Sequence, residues 1–376
     1  MGISDPTGPS GPRGPLGEID FGTAPWLGGG DASDVVVSSR VRLARNVASF
    51  RFVGRSSAED RLAVLDMLRS RLGGDEILPG RRSAWLDVHQ LTRLERALLV
   101  ERHLISPQHA RGQSVSVAEG GVDPRAVVVS LPDEGVSIMV NEEDHLRLQA
   151  IRPGLTLSAA LDDLESVDDG IEASIDYAYS ARFGYLTACP TNVGTGARMS
   201  VMLHLPALRI LGEIEKVKRA ASDMALAVRG FWGEGSEAEG DFYQISNQTT
   251  LGKSERETLD ELERVIVPKV VDYERRAREQ LMSRRGLMLE DTVFRALGVL
   301  QHARRMKTGE AMQRLSEVRL GASLGQLSEP TLDEISQLLI VIHPAHLQRA
   351  VGRTLTQDER RTERATLLRS RLAPAR

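Results

Sequence analysis

The sequence predicts an α+β fold in which an antiparallel sheet flanked by helices precedes a helical C-terminal domain. Two observations carry that prediction. Strand patterns cluster before residue 250 and are joined by hairpins, as where Ala126–Leu131 and the alternating Val136, Ile138 and Val140 flank Pro132-Asp133-Glu134-Gly135. From Ser254 onward almost every segment is helix-forming, with breaks at Pro268, Gly286, Gly309 and between Gly321 and Gly325.

The elements follow in order. The first thirty residues, with Gly8-Pro9-Ser10-Gly11-Pro12 and Gly28-Gly29-Gly30, bury too little apolar surface to order alone and read as a tail. A strand starts at Val35-Val36-Val37 and runs into Ser38-Ser39-Arg40-Val41-Arg42. Helical patterns cover residues 58–72 and 91–103, the hairpin comes next, and a long helix spans 157–181. A strand at 185–188 leads into a loop at Pro190-Thr191-Asn192-Val193-Gly194-Thr195-Gly196. Residues 198–205 read as strand, 208–228 as helix and 242–246 as strand. The organisation is then a tail at 1–30, an α+β domain at 31–255 and a helical domain at 256–376.

At 376 residues and 41% hydrophobic content, the chain can bury one or two sizeable cores. Its 48 basic and 52 acidic side chains leave a net charge of −4, which excludes the overall basic bias of a nucleic-acid binder. Lysine is confined to Lys216, Lys218, Lys253, Lys269 and Lys307; a GC-rich genome explains the arginine excess more simply than a phosphate-handling role. The single cysteine, Cys189, forms no internal disulfide and fits a reducing compartment. No apolar run approaches membrane-spanning length and the N-terminus has no apolar signal core, so a cytoplasmic location is the expectation.

Chemistry is concentrated in a few places. Asn141-Glu142-Glu143-Asp144-His145 packs three carboxylates behind an apolar strand; that pattern suits a helix N-terminus as well as a metal or acid/base site. Arg40 and Arg42 alternate on a strand and so share a face, and Arg147, Arg198 and Arg229 also sit in strand-like or loop settings. Arginine forks bind phosphate oxygens in pairs, although each such residue taken alone is more often a solvated charge. Two apparent motifs carry nothing. Gly252-Lys253-Ser254 lacks the leading glycine of a phosphate-binding loop, since Asn247 stands there, and Asn247-Gln248-Thr249 is a glycosylation sequon without meaning in a cytosolic chain.

Five segments in series change the weight of these parts: Ser38-Ser39-Arg40-Val41-Arg42-Leu43-Ala44-Arg45-Asn46, then Asn141-Glu142-Glu143-Asp144-His145-Leu146-Arg147, Cys189-Pro190-Thr191-Asn192-Val193-Gly194-Thr195-Gly196, Arg229-Gly230-Phe231-Trp232-Gly233-Glu234 and Ile245-Ser246-Asn247-Gln248. Together they resemble the catalytic domain of the phosphagen (guanidino) kinases, over about residues 34–252. Creatine- and arginine-type members carry a helical domain before the catalytic one. Here the Ser-Ser-Arg motif arrives at residue 38 and a helical extension of about 120 residues follows instead, a layout that looks like the protein-arginine-kinase branch.

The resemblance implies ATP and Mg2+ as cosubstrates and proteins bearing arginine as acceptors. It places Glu143 and Glu234 as the carboxylate pair on the guanidinium, with Cys189 beside it. ATP falls on Ser38, Ser39, Arg40, Val41, Arg42, His103, Arg147, Arg198, Met199, Ser200, Val201, Met202, Arg229, Gly230, Phe231, Trp232, Gly233 and Glu234. Magnesium rides on the nucleotide, with Glu142 and Asp144 as candidate ligands through water. The C-terminal domain is expected to dimerise and to hold a phosphoarginine pocket at Arg360-Arg361-Thr362-Glu363-Arg364-Ala365, where Arg361 replaces the aspartate of the related motif. A McsA-type zinc-binding activator, Clp protease components and stress-response repressors are the implied partners. The alternatives are a kinase of free arginine or another small guanidine, and an inactive binding adaptor.

Overall fold

The computed structural model describes residues 16–17, 19, 21–72, 78, 80–112, 123–231 and 239–373. Its centre is an eight-stranded antiparallel sheet whose strands lie in the order 82–87, 126–131, 136–140, 146–153, 36–45, 197–204, 242–247 and 226–229. The strands are β1 (Val36–Arg45), β2 (Arg82–Asp87), β3 (Ala126–Leu131), β4 (Val136–Val140), β5 (Leu146–Pro153), β8 (Ala197–His204), β9 (Leu226–Arg229) and β10 (Phe242–Asn247). A short hairpin, β6 (Tyr179–Ser180) with β7 (Gly184–Tyr185), stands apart.

Period-two alternation separates the two faces of this sheet. Val41 and Leu43 on β1, Met199 and Val201 on β8, and Leu146, Leu148 and Ala150 on β5 pack with Leu157, Leu161 and Leu164 of the helix Leu157–Glu172 in one apolar cluster. Arg45 points the same way and is buried against that helix, bonded to Asp168 at 2.7 Å with its guanidinium 3.5 Å from the Tyr185 ring. The other face of β1 holds Ser38, Arg40, Arg42 and Ala44.

Several expectations need correcting. The tail reading fails for the described residues between 16 and 30: Leu16, Ile19, Ala24, Trp26 and Leu27 are buried, and Gln337 and Asp333 of the helix Leu332–Val341 bond the backbone, while residues 1–15 lie outside the described residues. A segment too polar to order alone orders by borrowing a distant apolar surface. The acid run after Val140 is a reversal between two strands, not a helix start; Asn141 is left-handed at φ 59° and its N–H donates to the His145 carbonyl at 2.9 Å. The helix at 157 stops at Glu172, because the following chain is drawn into extended pairing by Ala178 N–H on Asn46 and by the Val47–Tyr177 bridge. The helix expected at 208–228 breaks at Gly212, which is left-handed at φ 74°, and its last residues become edge strand β9.

The division at residue 255 is not a packing boundary. The helix Glu255–Asp260 continues through a wider π turn, Glu261–Ile266, into Val267–His302. Leu259, Leu262, Ile266, Val271 and Leu281 along this rod belong to the apolar cluster under the sheet. The helices Thr308–Ser323, Leu332–Val341 and Gln357–Arg371 build a second cluster that also takes in Val37, Ile151, Phe231 and Phe242. Glu101, at the end of the helix Arg93–Glu101, fastens the two parts by accepting the Ala345 and His346 N–H groups at 2.8 and 3.1 Å. Among the described residues no helix is long and apolar enough to cross a membrane.

Candidate active site

Strand register builds a cationic face. Arg198 lies opposite Arg42, Arg147 opposite Ala44 and Met202 opposite Ser38, while Gln244 faces Met202 and Arg229 faces Gln244. Alternation therefore puts Arg40, Arg42, Arg147, Arg198 and Arg229 on the face away from the helix Leu157–Glu172. They repel one another. Withdrawal from water, then Arg147, Arg198 and Arg229, pushes the Arg40 guanidinium down to about 10. Arg42 is lowered well below its ordinary value by burial and then by Arg40, Arg147 and Arg198, and its Nε is buried with no hydrogen-bond partner. Half-buried like charges of this kind form a receptor for a polyanion.

Beside the arginines the face turns apolar. A narrow cleft is lined by Trp26, Val37, Ile151, Met202 and Phe231 together with Ser38, Arg40, His103, Ser200 and Gln244. The His103 ring lies edge-on to Trp26 at 5.4 Å and to Phe231 at 5.7 Å. Burial first, then Arg40 and Arg42, pushes its imidazole down to about 3, so it is neutral at pH 7. Gln149 holds this residue by donating to its carbonyl at 2.7 Å.

The other end of the face meets two loops. Asp144 Oδ1 accepts from Asn46 Nδ2 at 2.6 Å and from Ala188 N–H at 2.7 Å, so one buried carboxylate ties the neighbour of Glu143 to the neighbour of Cys189. Glu142 accepts from Arg147 at 2.8 Å, from the Ser106 hydroxyl at 2.5 Å and from Glu143 N–H at 2.8 Å. Burial alone would raise its pKa; the Arg147 charge and these bonds outweigh burial and leave it at about 2. Cys189 is half-buried, with Sγ 3.0 Å from Thr191 Oγ1. Its loop needs glycine twice. A Cβ on Gly194, at φ 118°, would collide with the Thr250 carbonyl, and one on Gly196, at φ 67°, would lie 2.7 Å from the Ala44 carbonyl.

Comparison with known proteins agrees with this arrangement. The model of the ATP:guanido phosphotransferase C-terminal catalytic domain matches residues 79–277, and that of the protein-arginine kinase McsB C-terminal domain matches 286–376. A protein-arginine kinase of Caldanaerobacter subterraneus subsp. tengcongensis is 45% identical over 339 residues, which is 90% of this chain and 97% of that protein. The chain belongs to the protein-arginine kinases. A second family member, from Halalkalibacterium halodurans, is 43% identical over 93% of this chain and 95% of its own. Among solved structures, lombricine kinase aligns with a TM-score of 0.54 at 26% identity, covering 66% of this chain and 68% of its own. The duplicated taurocyamine kinase of Schistosoma mansoni aligns at 0.57 and 26% identity, over 68% of this chain and 35% of that one.

Within this kinase the expected site residues divide. Ser38, Arg40, His103, Ser200, Met202 and Phe231 line the cleft, and Arg42, Arg147, Arg198 and Arg229 share its face. Ser39, Val41, Met199 and Val201 do not; they are buried on the opposite face, because contiguous strand residues alternate. Gly230 is buried beside Phe231, whereas Trp232, Gly233 and Glu234 lie outside the described residues. Glu142 and Asp144, the candidate magnesium ligands through water, serve as braces in the structure. Sequence reasoning missed Trp26, Gln244 and the brace Asn46. It placed Asn247 in a resembling segment without a role; its amide bonds Met199 N–H and the Ala197 carbonyl and so steadies the strand entering the site.

The C-terminal hexad also divides. Arg364 is buried, not presented; it donates to the carbonyls of Ile342 at 2.7 Å and Met306 at 2.9 Å, and burial followed by Arg360 pushes it down to about 10. Ala365 is buried beside it, and Thr362 Oγ1 bonds the Asp358 carbonyl. Arg360 donates to the Leu355 carbonyl, and Arg361 pairs with Asp358 at 3.0 Å. Exposed Thr362 and half-buried Arg360, Arg361 and Glu363 remain as its surface-facing members.

Proposed function

We propose that this chain transfers the γ-phosphoryl group of ATP to arginine guanidinium groups held in proteins. The observation that carries the reading is the order of functions along β1. The apolar cleft lies at Ser38, the arginine cluster at Arg40 and Arg42, and the Glu143 and Cys189 loops at Ala44, a span of roughly 20 Å at about 3.3 Å per strand residue. A nucleotide laid along it would put its base in the cleft and its phosphates on the arginines, with its terminal phosphoryl toward the acceptor loops.

The acceptor is a cation with a pKa above about 12 and no available lone pair. As its nitrogen bonds phosphorus and the bond to the ADP oxygen breaks, that nitrogen must lose a proton. Glu143, paired by family resemblance with Glu234, orients the guanidinium and takes the proton. The arginines stabilise charge on the phosphoryl in transit, the dominant contribution in this chemistry. Glu142, held at about 2, stays ionised and keeps Arg147 in place. Mg2+ held by the nucleotide's phosphates would add to the arginines' charge neutralisation.

Protein-held arginine is the expected substrate, because contacts outside the guanidinium pocket supply binding that free arginine lacks. With ATP and a casein-like protein, kcat/KM should greatly exceed that for free arginine. Equal or better use of free arginine would move the reading to a small-guanidine kinase.

The wider reading is a cytoplasmic homodimer acting with a McsA-type zinc-binding activator and marking proteins, including stress-response repressors, for Clp components. The surface-facing Arg360, Arg361 and Glu363 of the C-terminal domain would meet phosphoarginine there. With Arg361 in place of an aspartate and Arg364 turned inward, activation by phosphoarginine should be weak.

A further inference from the structure

We infer that Trp26 is a nucleotide-binding residue, forming one wall of the base subsite and donating its indole N–H to the bound nucleotide, and that the C-terminal helix Leu332–Val341 holds it there. This rests on the nucleotide reading of the cleft. Polarity assigns the ends of that cleft: the arginines take the phosphates, which leaves Trp26, His103, Phe231 and Met202 for the flat, apolar base. A tryptophan supplies a large rigid surface to such a ligand. It is 3% exposed, and its Nε1 is buried with no hydrogen-bond partner. A buried donor in that condition is costly, and an acceptor on a ligand would relieve the cost.

Its own turn holds this residue only lightly, through the Leu27 N–H on the Ala24 carbonyl at 3.0 Å. Trp26 sits in a single 3-10 turn, Pro25–Leu27, whose preceding residue has no capping side chain. Arg102 donates to the Thr23 carbonyl at 2.5 Å, and further restraint comes from more than 300 residues away. Gln337 grips Ala24 on both backbone groups, accepting its N–H at 2.6 Å and donating to its carbonyl at 2.9 Å. Asp333, one turn earlier on the same helix, accepts Gly29 N–H at 3.0 Å. The two clips bracket Trp26, which also packs in one apolar cluster with Leu338 and Leu339. The helical domain thus supports a wall of the nucleotide site through the N-terminal strap.

The test is calorimetric titration of the full chain with MgADP and, separately, with tripolyphosphate and magnesium, a probe that has the charges but no base. Trp26→Ala should weaken MgADP by about tenfold or more and change tripolyphosphate by less than about twofold. Trp26→Phe keeps a ring and loses the N–H, so it should fold and fall between. Gln337→Ala should weaken MgADP selectively, although it touches no ligand. Unchanged MgADP affinity in all variants would overturn the inference, as would equal loss of both probes in Trp26→Phe and Gln337→Ala. A wild-type chain that takes tripolyphosphate but not MgADP would overturn the nucleotide reading itself, and the inference with it.

Discussion

Glu143→Gln is expected to slow phosphoryl transfer by about 10²–10⁴ while leaving MgATP affinity nearly unchanged. The substitution keeps the side chain's shape and removes the anionic oxygen that orients the guanidinium and accepts its proton. Nucleotide binding should survive because Glu142, the neighbouring acid, is the partner of Arg147 and fixes that arginine at 2.8 Å. Asp144 meanwhile continues to tie the turn to Ala188. Glu234→Gln should match the loss in turnover. Single-turnover rates with saturating ATP, alongside nucleotide titration, check both. Near-normal turnover in the two variants would show that the pair is wrongly assigned.

Arg42→Met is expected to lower kcat/KM for ATP by about 10²–10³, the usual cost of removing a group aimed at charge in transit. The same change should raise the melting temperature of the nucleotide-free protein. Arg42 is withdrawn from water among Arg40, Arg147 and Arg198, and its buried Nε lacks a partner. Replacing a buried, repelled charge with an apolar side chain of similar length is neutral to stabilising when no ligand is present. Nucleotide should then stabilise the wild type more than the variant, since the wild type has more repulsion to relieve on binding. Thermal melts with and without MgADP read both effects. A variant less stable than wild type without nucleotide would mean that Arg42 braces the sheet.

These residues were legible in the sequence because the chemistry demands contiguous segments. Arg40 and Arg42 alternate within one strand, and the acids and the Cys189 loop are each a single run of chain. What alternation also implies is that the expected ATP segment had to be halved, since Ser39 and Val41 face the helices. Arg45 shows the same limit: it stands in the same motif as Arg42, yet its parity sends it to Asp168 in the core. Strand β2 was missed because, as an outer strand, Arg82-Ser83-Ala84-Trp85-Leu86-Asp87 shows no clean alternation of burial. Strand β5 does alternate Leu146, Leu148 and Ala150, but the acids before it imitate a helix start.

The role of the first thirty residues was hidden for a different reason. Composition reports whether a segment orders by itself, and this one does not. Trp26 is placed by Gln337 and Asp333, partners that no local pattern discloses. Arg364 is the counterpart in the C-terminal domain. Its motif suggests a ligand contact, while Ile342 and Met306 claim its guanidinium.

The most direct test of the account is the chemical nature of the bond the protein makes. After reaction with ATP, a protein substrate should carry phosphate on arginine nitrogen, which is lost on brief acid treatment, and peptide mapping under mild conditions should place it on arginine side chains. Acid-stable phosphate on serine, threonine or tyrosine would contradict the account, and so would ATP-dependent labelling that persists in Glu143→Gln at the wild-type rate.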